Sequence, residues 1–557
     1  MAAPNETTEY AKLYLASVKK EFETGKATEH TYRAALKGLI ESLAKDVVAI
    51  NEPKRETCGA PDFIVRRGNL SIGYIETKII GKSLDEAENS DQLKRYRESL
   101  HNLILTDYLE FRWYVYEERR EIARIGHMEK SGKIKFDPDG CVEALNLLNG
   151  YLSQAIEKIT TPISLANQLA RIAKIIREIV LNSFRENMAS NELVDLREAI
   201  ARVLIPEIGQ PERISEFADI YAQTIVYGLF AARCNHRVST PFIRSGAASE
   251  IPKTNPFLRK LFASITGLGI EDEPHAPFID DLVQILNSTD IDAVLSNFGK
   301  RSKQEDPVIH FYETFLKVYD PSLRELRGVY YTPEPVVSYI VRSVDLVLKN
   351  HFEISGGFLD TLSETKYTRE KYFTDYRGSP ESQQLPKTVE ITCPRVLILD
   401  PACGTGTFLY NIVDYIRNSY METMGAGYWS LFVREKLLKR IFGFELLMAS
   451  YAVAHFKLGM QLAGRDLPDD QQEFWRYDFA SNERLGIFLT NTLQEAENIW
   501  NTMFSRTLTE EANESSVVKR DMPIMVVLGN PPYSGHSANS SWEIVKPIFR
   551  TNGLNAS

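Results

Sequence analysis

The chain has 557 residues, of which 43% are apolar and 25% charged, and a formal net charge of −10. One hydrophobic core rarely grows past about 250–300 residues, so several domains are expected. No apolar run approaches the ~18 residues of a membrane helix, residues 1–24 lack a signal-peptide apolar region, and the five cysteines form no CxxC pair. These features argue against a membrane span, a disulfide framework and a zinc site, and a cytoplasmic location is the expectation.

The net charge argues against wholesale nucleic-acid binding, but DNA is bound by local basic surfaces and not by the mean. Three textures follow one another along the chain, so a multidomain protein is predicted. Residues 1–130 open with a helical stretch from Tyr10 to Leu43, followed by strand-like runs at Asp62–Val65, Ser71–Ile80 and Phe111–Tyr116. Basic clusters stand in this region, at Lys94, Arg95 and Arg97 and at Arg112, Arg119, Arg120 and Arg124, and charge alone favours reading each as a solvated face. Residues 145–325 read as all-α, as in Ile214–Arg233, where Phe217, Ile220, Tyr221, Thr224 and Ile225 recur at helical spacing. Residues 326–557 read as α/β, with buried-strand runs at Val396–Leu399, Ile441–Phe444, Ile487–Leu489 and Ile524–Leu528 and helices between them. The polar stretch Ser355–Thr392 reads as a long excursion before the first of these strands.

The N-terminal region carries one constellation with chemistry in it. Ala60-Pro61-Asp62-Phe63 leads into a turn at Arg67-Gly68-Asn69, and Tyr74-Ile75-Glu76-Thr77-Lys78 follows. Residues two apart on a strand share a face, so Glu76 and Lys78 point the same way, and Asp62 on the partner strand can reach that face. Two carboxylates can hold Mg²⁺, which lowers the pKa of a bound water, and Lys78 can orient that water or offset phosphate charge. This pattern resembles the Pro-Asp…Glu-x-Lys nuclease family, and Gln92 and Tyr96 resemble the Gln-x3-Tyr element of some of its branches. The resemblance implies Asp62, Glu76 and Lys78 as catalytic residues, Asp62 and Glu76 as metal ligands, and Glu41 as a further metal-site acid.

In the C-terminal region the strand Val396–Leu399 runs into Asp400-Pro401-Ala402-Cys403-Gly404-Thr405-Gly406-Thr407-Phe408. A strand, a glycine loop and a helix form the unit with which a doubly wound sheet cradles a nucleoside. The loop lacks both the Gly-x-Gly-x-x-Gly and the Gly-x4-Gly-Lys-Ser/Thr spacings, which puts NAD and ATP behind other ligands. The next strand ends at Glu445, an acid placed to accept hydrogen bonds from ribose hydroxyls. The last strand runs into Gly529-Asn530-Pro531-Pro532-Tyr533, 130 residues after Asp400. Adenine's exocyclic amine is a poor nucleophile because its lone pair is delocalised into the ring. The Asn530 side-chain carbonyl and the Pro531 backbone carbonyl can each accept one N6 proton, and Pro532 stiffens the loop. Tyr533 offers a face on which an extruded base can stack.

These motifs resemble those of the gamma-class adenine-N6 DNA methyltransferases. The resemblance implies a Rossmann-like sheet that binds S-adenosyl-L-methionine, with cofactor contacts from Asp400, Ala402, Gly404, Gly406, Phe408 and Glu445. It also implies contacts from Tyr331 and Thr332, in the segment Gly328-Val329-Tyr330-Tyr331-Thr332-Pro333. The third-strand contact is either Asp478 or Asn491. Nuclease, helical connector and methyltransferase in that order resemble type IIG and IIL restriction-modification enzymes, or type ISP enzymes without their helicase. The expected partner is double-stranded DNA. Only 24 residues follow Tyr533, so the resemblance implies an incomplete methyltransferase sheet, completed by a second polypeptide or left as an inactive remnant that only binds cofactor or DNA.

Overall fold

A computed structural model describes residues 4–51, 59–68, 70–129, 132–154, 158–236, 240–252, 254–265, 268–295, 307–320, 332–360, 362–371, 387–479, 483–493 and 503–531. It divides into two compact units: Met1–Tyr319 with Asn498–Thr509, and Asp320–Glu497 with Glu510–Ser557.

The first unit is built on a six-stranded mixed sheet of order β1-β2-β3-β4-β5-β6, comprising Val47–Asn51, Phe63–Arg67, Leu70–Thr77, Leu103–Thr106, Glu110–Val115 and Glu118–Arg124. Only β3 and β4 run parallel, and helix α3 (Asp91–Ser99) lies in the connection between them. A short antiparallel pair, β7 (Gly126–Met128) with β8 (Ile134–Phe136), follows the sheet. The expected single N-terminal helical stretch is two helices, α1 (Pro4–Glu23) and α2 (Arg33–Leu43). The chain breaks at Gly25, whose φ of +64° suits the left-handed turn that ends a helix. Tyr14 and Val18 of α1, Leu36 and Ile40 of α2, and Leu148 and Tyr151 of α4 (Pro138–Ser153) share one core with Phe63, Val65, Ile75 and Ile104 of the sheet.

The helical region belongs to the same unit. Helix α6 (Ile214–Asn235) is buried along nearly its whole circumference, which is why its apolar stripe is wider than one face. It packs against α5 (Pro162–Arg185), which also carries α8 (Pro307–Tyr319). Helix α7 (Ala276–Asn287) ties this layer to the sheet: Asp281 accepts a hydrogen bond from Tyr74, Phe278 stacks on the Tyr74 ring at 5.5 Å, and Asp280 pairs with Arg66 at 3.6 Å.

In the second unit, helix α9 (Glu334–Asn350) precedes Ser355–Thr392, expected as an excursion. That stretch holds most of an antiparallel pair whose ladder ends at Pro394, β9 (Glu364–Lys371) with β10 (Lys387–Pro394). Next comes a parallel sheet of order β13-β12-β11-β14, formed by Gly486–Leu489, Ile441–Glu445, Ile398–Asp400 and Val526–Val527. Alternate strand residues face opposite ways. Leu397, Leu399, Phe442, Phe444 and Phe488 pack with Val518 of α12 (Met503–Arg520). Gly443 and Ile487 look the other way, towards Leu409 of α10 (Thr407–Thr423) and Leu458 and Leu462 of α11 (Met448–Leu462). The sheet is thus covered by helices on both faces, and its strand ends carry the loops on which the site is built. Among the described residues no helix is long and apolar enough to cross a membrane.

Candidate functional site

In the first unit the hairpin of β2 and β3 brings the sequence-predicted acids together. The register Phe63↔Ile75 sets Asp62 across from Glu76. The Asp62 carboxylate is buried and heavily bonded: Oδ1 accepts from Arg33 Nη2 at 2.7 Å, and Oδ2 accepts from the Thr77 backbone N–H at 2.6 Å and hydroxyl at 2.7 Å. Glu76 Oε1 lies 2.6 Å from Lys78 Nζ, the shared face expected from strand periodicity. Tyr96 hydroxyl accepts from Gln92 Nε2 at 2.9 Å and donates to the Gly59 carbonyl at 2.7 Å. Its phenol is pushed well up, first by burial and then by the negative charge of Glu76 and, more weakly, of Asp62, so it lies within the field of both acids. Glu41 instead caps the sheet, accepting from the Ala49 backbone N–H at 3.1 Å and pairing with Lys37 at 3.6 Å.

Mg²⁺ was the expected metal at Asp62 and Glu76, and the residues as they stand do not fit it. Each acid already has a cation against it, Arg33 or Lys78. Among the described residues no group of three or more His, Cys, Asp or Glu is placed to hold a metal ion. Arg33 was missed in the sequence, although it carried a signal: it heads the buried stripe Arg33, Leu36, Leu39, Ile40 and Leu43, where an arginine needs a partner. The arginines of the basic clusters are ion-paired, with Arg95 on Glu178, Arg97 on Glu88, Arg112 on Asp85, Glu88 and Glu110, Arg119 on Glu88, Arg120 on Glu118 and Arg124 on Glu110.

In the second unit four loops meet at the carboxyl ends of the parallel strands. Gly404 and Gly406 take φ of +55° and +78°, conformations that suit glycine, and Gly406 caps α10. Asp400 is 1% exposed, and its Oδ1 accepts from the Ala402 N–H at 3.2 Å. Glu445 Oε2 accepts from the Gly404 N–H at 2.8 Å, and its Oε1 from those of Leu446 and Leu447 at 2.9 and 2.8 Å. The loop after β13 joins them through Thr492 Oγ1, which donates to the Pro401 carbonyl at 2.5 Å. The segment after β14 approaches so closely that a Cβ on Gly529 would lie 2.4 Å from Asp400 Oδ1. Asn530 is half-buried and Pro531 exposed directly beyond it.

Burial pushes the Asp400 carboxyl up to about 7, helped by the nearby Glu445, against the pull of the Ala402 amide. Burial also raises the Glu445 carboxyl, while its three amide donors lower it. S-adenosylmethionine, implied by the resemblance, is a cationic nucleoside. The donor set fits it, since the buried Asp400 and the half-buried Glu445, supported among the described residues by backbone amides, would gain from a positive ligand.

Phe408 is buried in the first turn of α10, behind the glycine loop. Thr332 is half-buried just ahead of Pro333, which caps α9, the helix packed on α10. Asn491 sits immediately past β13 in the converging loop, with its Oδ1 accepting from the Leu493 N–H at 3.1 Å. Asp478 is exposed before β13 and pairs with Arg476 at 2.8 Å. Tyr331, Pro532 and Tyr533 lie outside the described residues.

No family model matches the chain, and no curated protein matches it in sequence. Among solved structures it is similar to the DrdV–DNA complex determined by cryoEM, with 18% identity and a TM-score of 0.42 over 98% of this chain and 46% of that one. It is similar to the ATP-dependent type ISP restriction-modification enzyme LlaBIII bound to DNA, with 19% identity and a TM-score of 0.44 over 74% of this chain and 24% of that one. It is also similar to the type IIG restriction endonuclease BpuSI, with 12% identity and a TM-score of 0.27 over 93% and 46% of the two chains. The chain spans less than half the length of each of these solved structures.

Proposed function

We propose that the second unit binds S-adenosylmethionine at the carboxyl ends of β11, β12 and β13 and methylates the N6 amine of adenine in DNA, as part of a restriction-modification protein. The observation that carries this reading is the meeting of the Asp400 loop, Glu445 and the Gly529-Asn530-Pro531 segment at one end of a parallel sheet. In doubly wound sheets, nucleoside ligands bind in the crevice beyond the carboxyl strand ends. The order β13-β12-β11-β14, with helices on both faces, supports that assignment.

When bound, the cofactor supplies an electrophilic methyl group. Glu445 accepts hydrogen bonds from the ribose hydroxyls, Asp400 and the Ala402–Gly406 loop hold the charged end, and Phe408 backs the loop. Asn530 Oδ1 and the Pro531 carbonyl accept hydrogen bonds from the two N6–H groups, which localises the nitrogen lone pair and points it at the incoming carbon; the methylated nitrogen then gives up one proton to solvent, with the thioether form of the cofactor as the leaving group. Pro532 and Tyr533 keep the roles that their sequence gives them.

The test is calorimetry with S-adenosylmethionine together with transfer of labelled methyl groups to adenine-containing DNA. Asn530→Ala is expected to keep cofactor binding and to lose on the order of 10²–10³ in transfer rate, the usual effect of removing one positioned polar group. Cofactor binding without any transfer by the wild-type chain would favour a binding-only remnant, and no cofactor binding would sink the reading.

A second reading concerns the first unit, where the buried Asp62 and Glu76 lie across the β2–β3 hairpin and the half-buried Lys78 pairs with Glu76. We propose DNA phosphodiester hydrolysis there: a water oxygen adds to phosphorus, one ester oxygen leaves as the alcohol with the proton that the water releases, and Lys78 is placed to meet the phosphate charge. Cleavage that persists in both Asp62→Ala and Lys78→Ala would remove these residues from that role.

A further inference from the structure

Lys519, on the last turn of α12, is half-buried beneath the loop that follows β13. Its Nζ donates to the Asn491 backbone carbonyl at 2.6 Å and to Thr490 Oγ1 at 2.8 Å. Ser515, one helical turn earlier, donates to the same Thr490 hydroxyl oxygen at 3.0 Å. The ammonium also stands 5.4 Å from the centre of the Phe444 ring, on the neighbouring strand. Burial lowers its pKa to about 8, so the lysine is held there against a desolvation cost.

The place of this loop gives those bonds a meaning, on the reading that the second unit binds a nucleoside. Glu445 ends β12, and its register partner Leu489 ends β13, so the two strand ends lie side by side. A ribose held by Glu445 leaves its base to extend over an adjoining strand end. On the β11 side stands the glycine loop that meets the charged end of the ligand. On the other side stand Thr490 and Asn491, with Thr492 tied back to Pro401. The Thr490 N–H is bonded to the Glu445 carbonyl at 2.9 Å and the Asn491 carbonyl to Lys519, so on this reading the peptide between Thr490 and Asn491 is the group that meets the edge of the base.

We propose that Lys519 is a positioning residue for base recognition: by gripping the Asn491 carbonyl and the Thr490 hydroxyl it fixes the orientation of the peptide group that discriminates adenine from other bases. It acts through the loop and does not touch the ligand. A helix-to-sheet tie with no part in recognition would leave base preference unchanged when removed.

The experiment measures the Kd of the full chain for S-adenosylhomocysteine and for S-inosylhomocysteine, whose base carries a 6-oxo group in place of the amine. The wild-type chain is expected to prefer the adenine ligand by tenfold or more, as a hydrogen-bonding site rejects a mismatched edge. Lys519→Met is expected to lose most of that preference by weakening the adenine ligand selectively, and Lys519→Arg, which keeps a cationic donor, to regain part of it. Equal weakening of both ligands, or unchanged affinities, overturns the proposal while the nucleoside-site reading stands. Failure of the wild-type chain to bind either ligand overturns both. Should Lys519→Met not fold, Lys519→Leu, which also lacks a donor, is measured in its place, and the same loss of preference is expected of it.

Discussion

In the first unit Asp62 and Glu76 lie at the end of the β2–β3 hairpin, each against a cation, Arg33 at 2.7 Å and Lys78 at 2.6 Å. In the second unit Asp400 and Glu445 lie at the ends of β11 and β12, bonded to backbone amides, and among the described residues no ion pair reaches either. Charge is abundant elsewhere in that unit. Arg417 binds Asp466, and Arg484 binds Glu511, both deep in the fold. That no ion pair among the described residues reaches Asp400 or Glu445 is therefore a property of the site and not of the composition. A buried carboxylate matched by a guanidinium is electrostatically complete, whereas one supported only by amide dipoles retains an unmet demand for positive charge. The first pair is closed against a cationic ligand and the second is open to one.

The largest effect that could break this contrast is at Arg33. Arg33→Gln leaves Asp62 buried beside Glu76 without its counter-charge, and removing one partner of a buried pair costs about 3–5 kcal/mol. The expected outcome is faster hydrogen exchange of the β2 and β3 amides, with the second unit unaffected. Adding Asp62→Asn to that variant is expected to restore most of the protection, because the stranded charge is gone. If the double variant exchanges as fast as the single one, the pairing is not what completes this site. Added Mg²⁺ sharpens the point: protection regained by Arg33→Gln in Mg²⁺ would show that a divalent ion can take the place of the guanidinium.

Next in size is Gly529→Ala. Its Cβ would fall 2.4 Å from Asp400 Oδ1, and forcing a methyl into a packed site costs typically about 1–3 kcal/mol. Because the obstruction is between the β14 end and the Asp400 loop, cofactor affinity is expected to fall together with the melting temperature of the second unit. A variant with wild-type affinity would mean that the Asp400 loop and the Asn530 segment do not share one site.

The two regions were unequally legible in the sequence. That Asp62 and Glu76, and Asp400 and Glu445, would come together could be read in both, because turn glycines and strand ends are local signals. Their electrostatic state could not, because it depends on what distant elements bring. Arg33 comes from a helix 29 positions before Asp62, and its salt bridge leaves only an arginine on an apolar stripe as a trace. Lys519 reaches Asn491 from 28 positions away, and nothing in its own neighbourhood marks it. Strands β1, β4 and β6 were not anticipated. For β4 the burial of all four residues shows why, since a short strand buried on both faces has no alternation to read, whereas β6 is exposed at six of its seven residues and has no apolar face to read.

The smallest effect is a dependence on pH, and it separates the two sites most directly. The Asp400 carboxyl is raised from 3.8 to about 7 by burial first and by Glu445 second. The folded second unit therefore keeps a proton that the unfolded chain has released. This contribution to stability is complete below about 4 and is lost as pH rises through about 7, and Asp400→Asn is expected to flatten the slope. A cationic ligand favours the ionised form and reverses the preference. S-adenosylmethionine affinity is thus expected to rise between pH 5 and pH 7, with a proton released on binding, measured by calorimetry in buffers of different ionisation enthalpy. S-adenosylhomocysteine lacks the sulfonium charge and should show a smaller rise. Equal pH dependence for the two ligands would mean that the sulfonium does not feel Asp400, and would leave the α-ammonium, which both ligands carry, as the only cofactor charge that does.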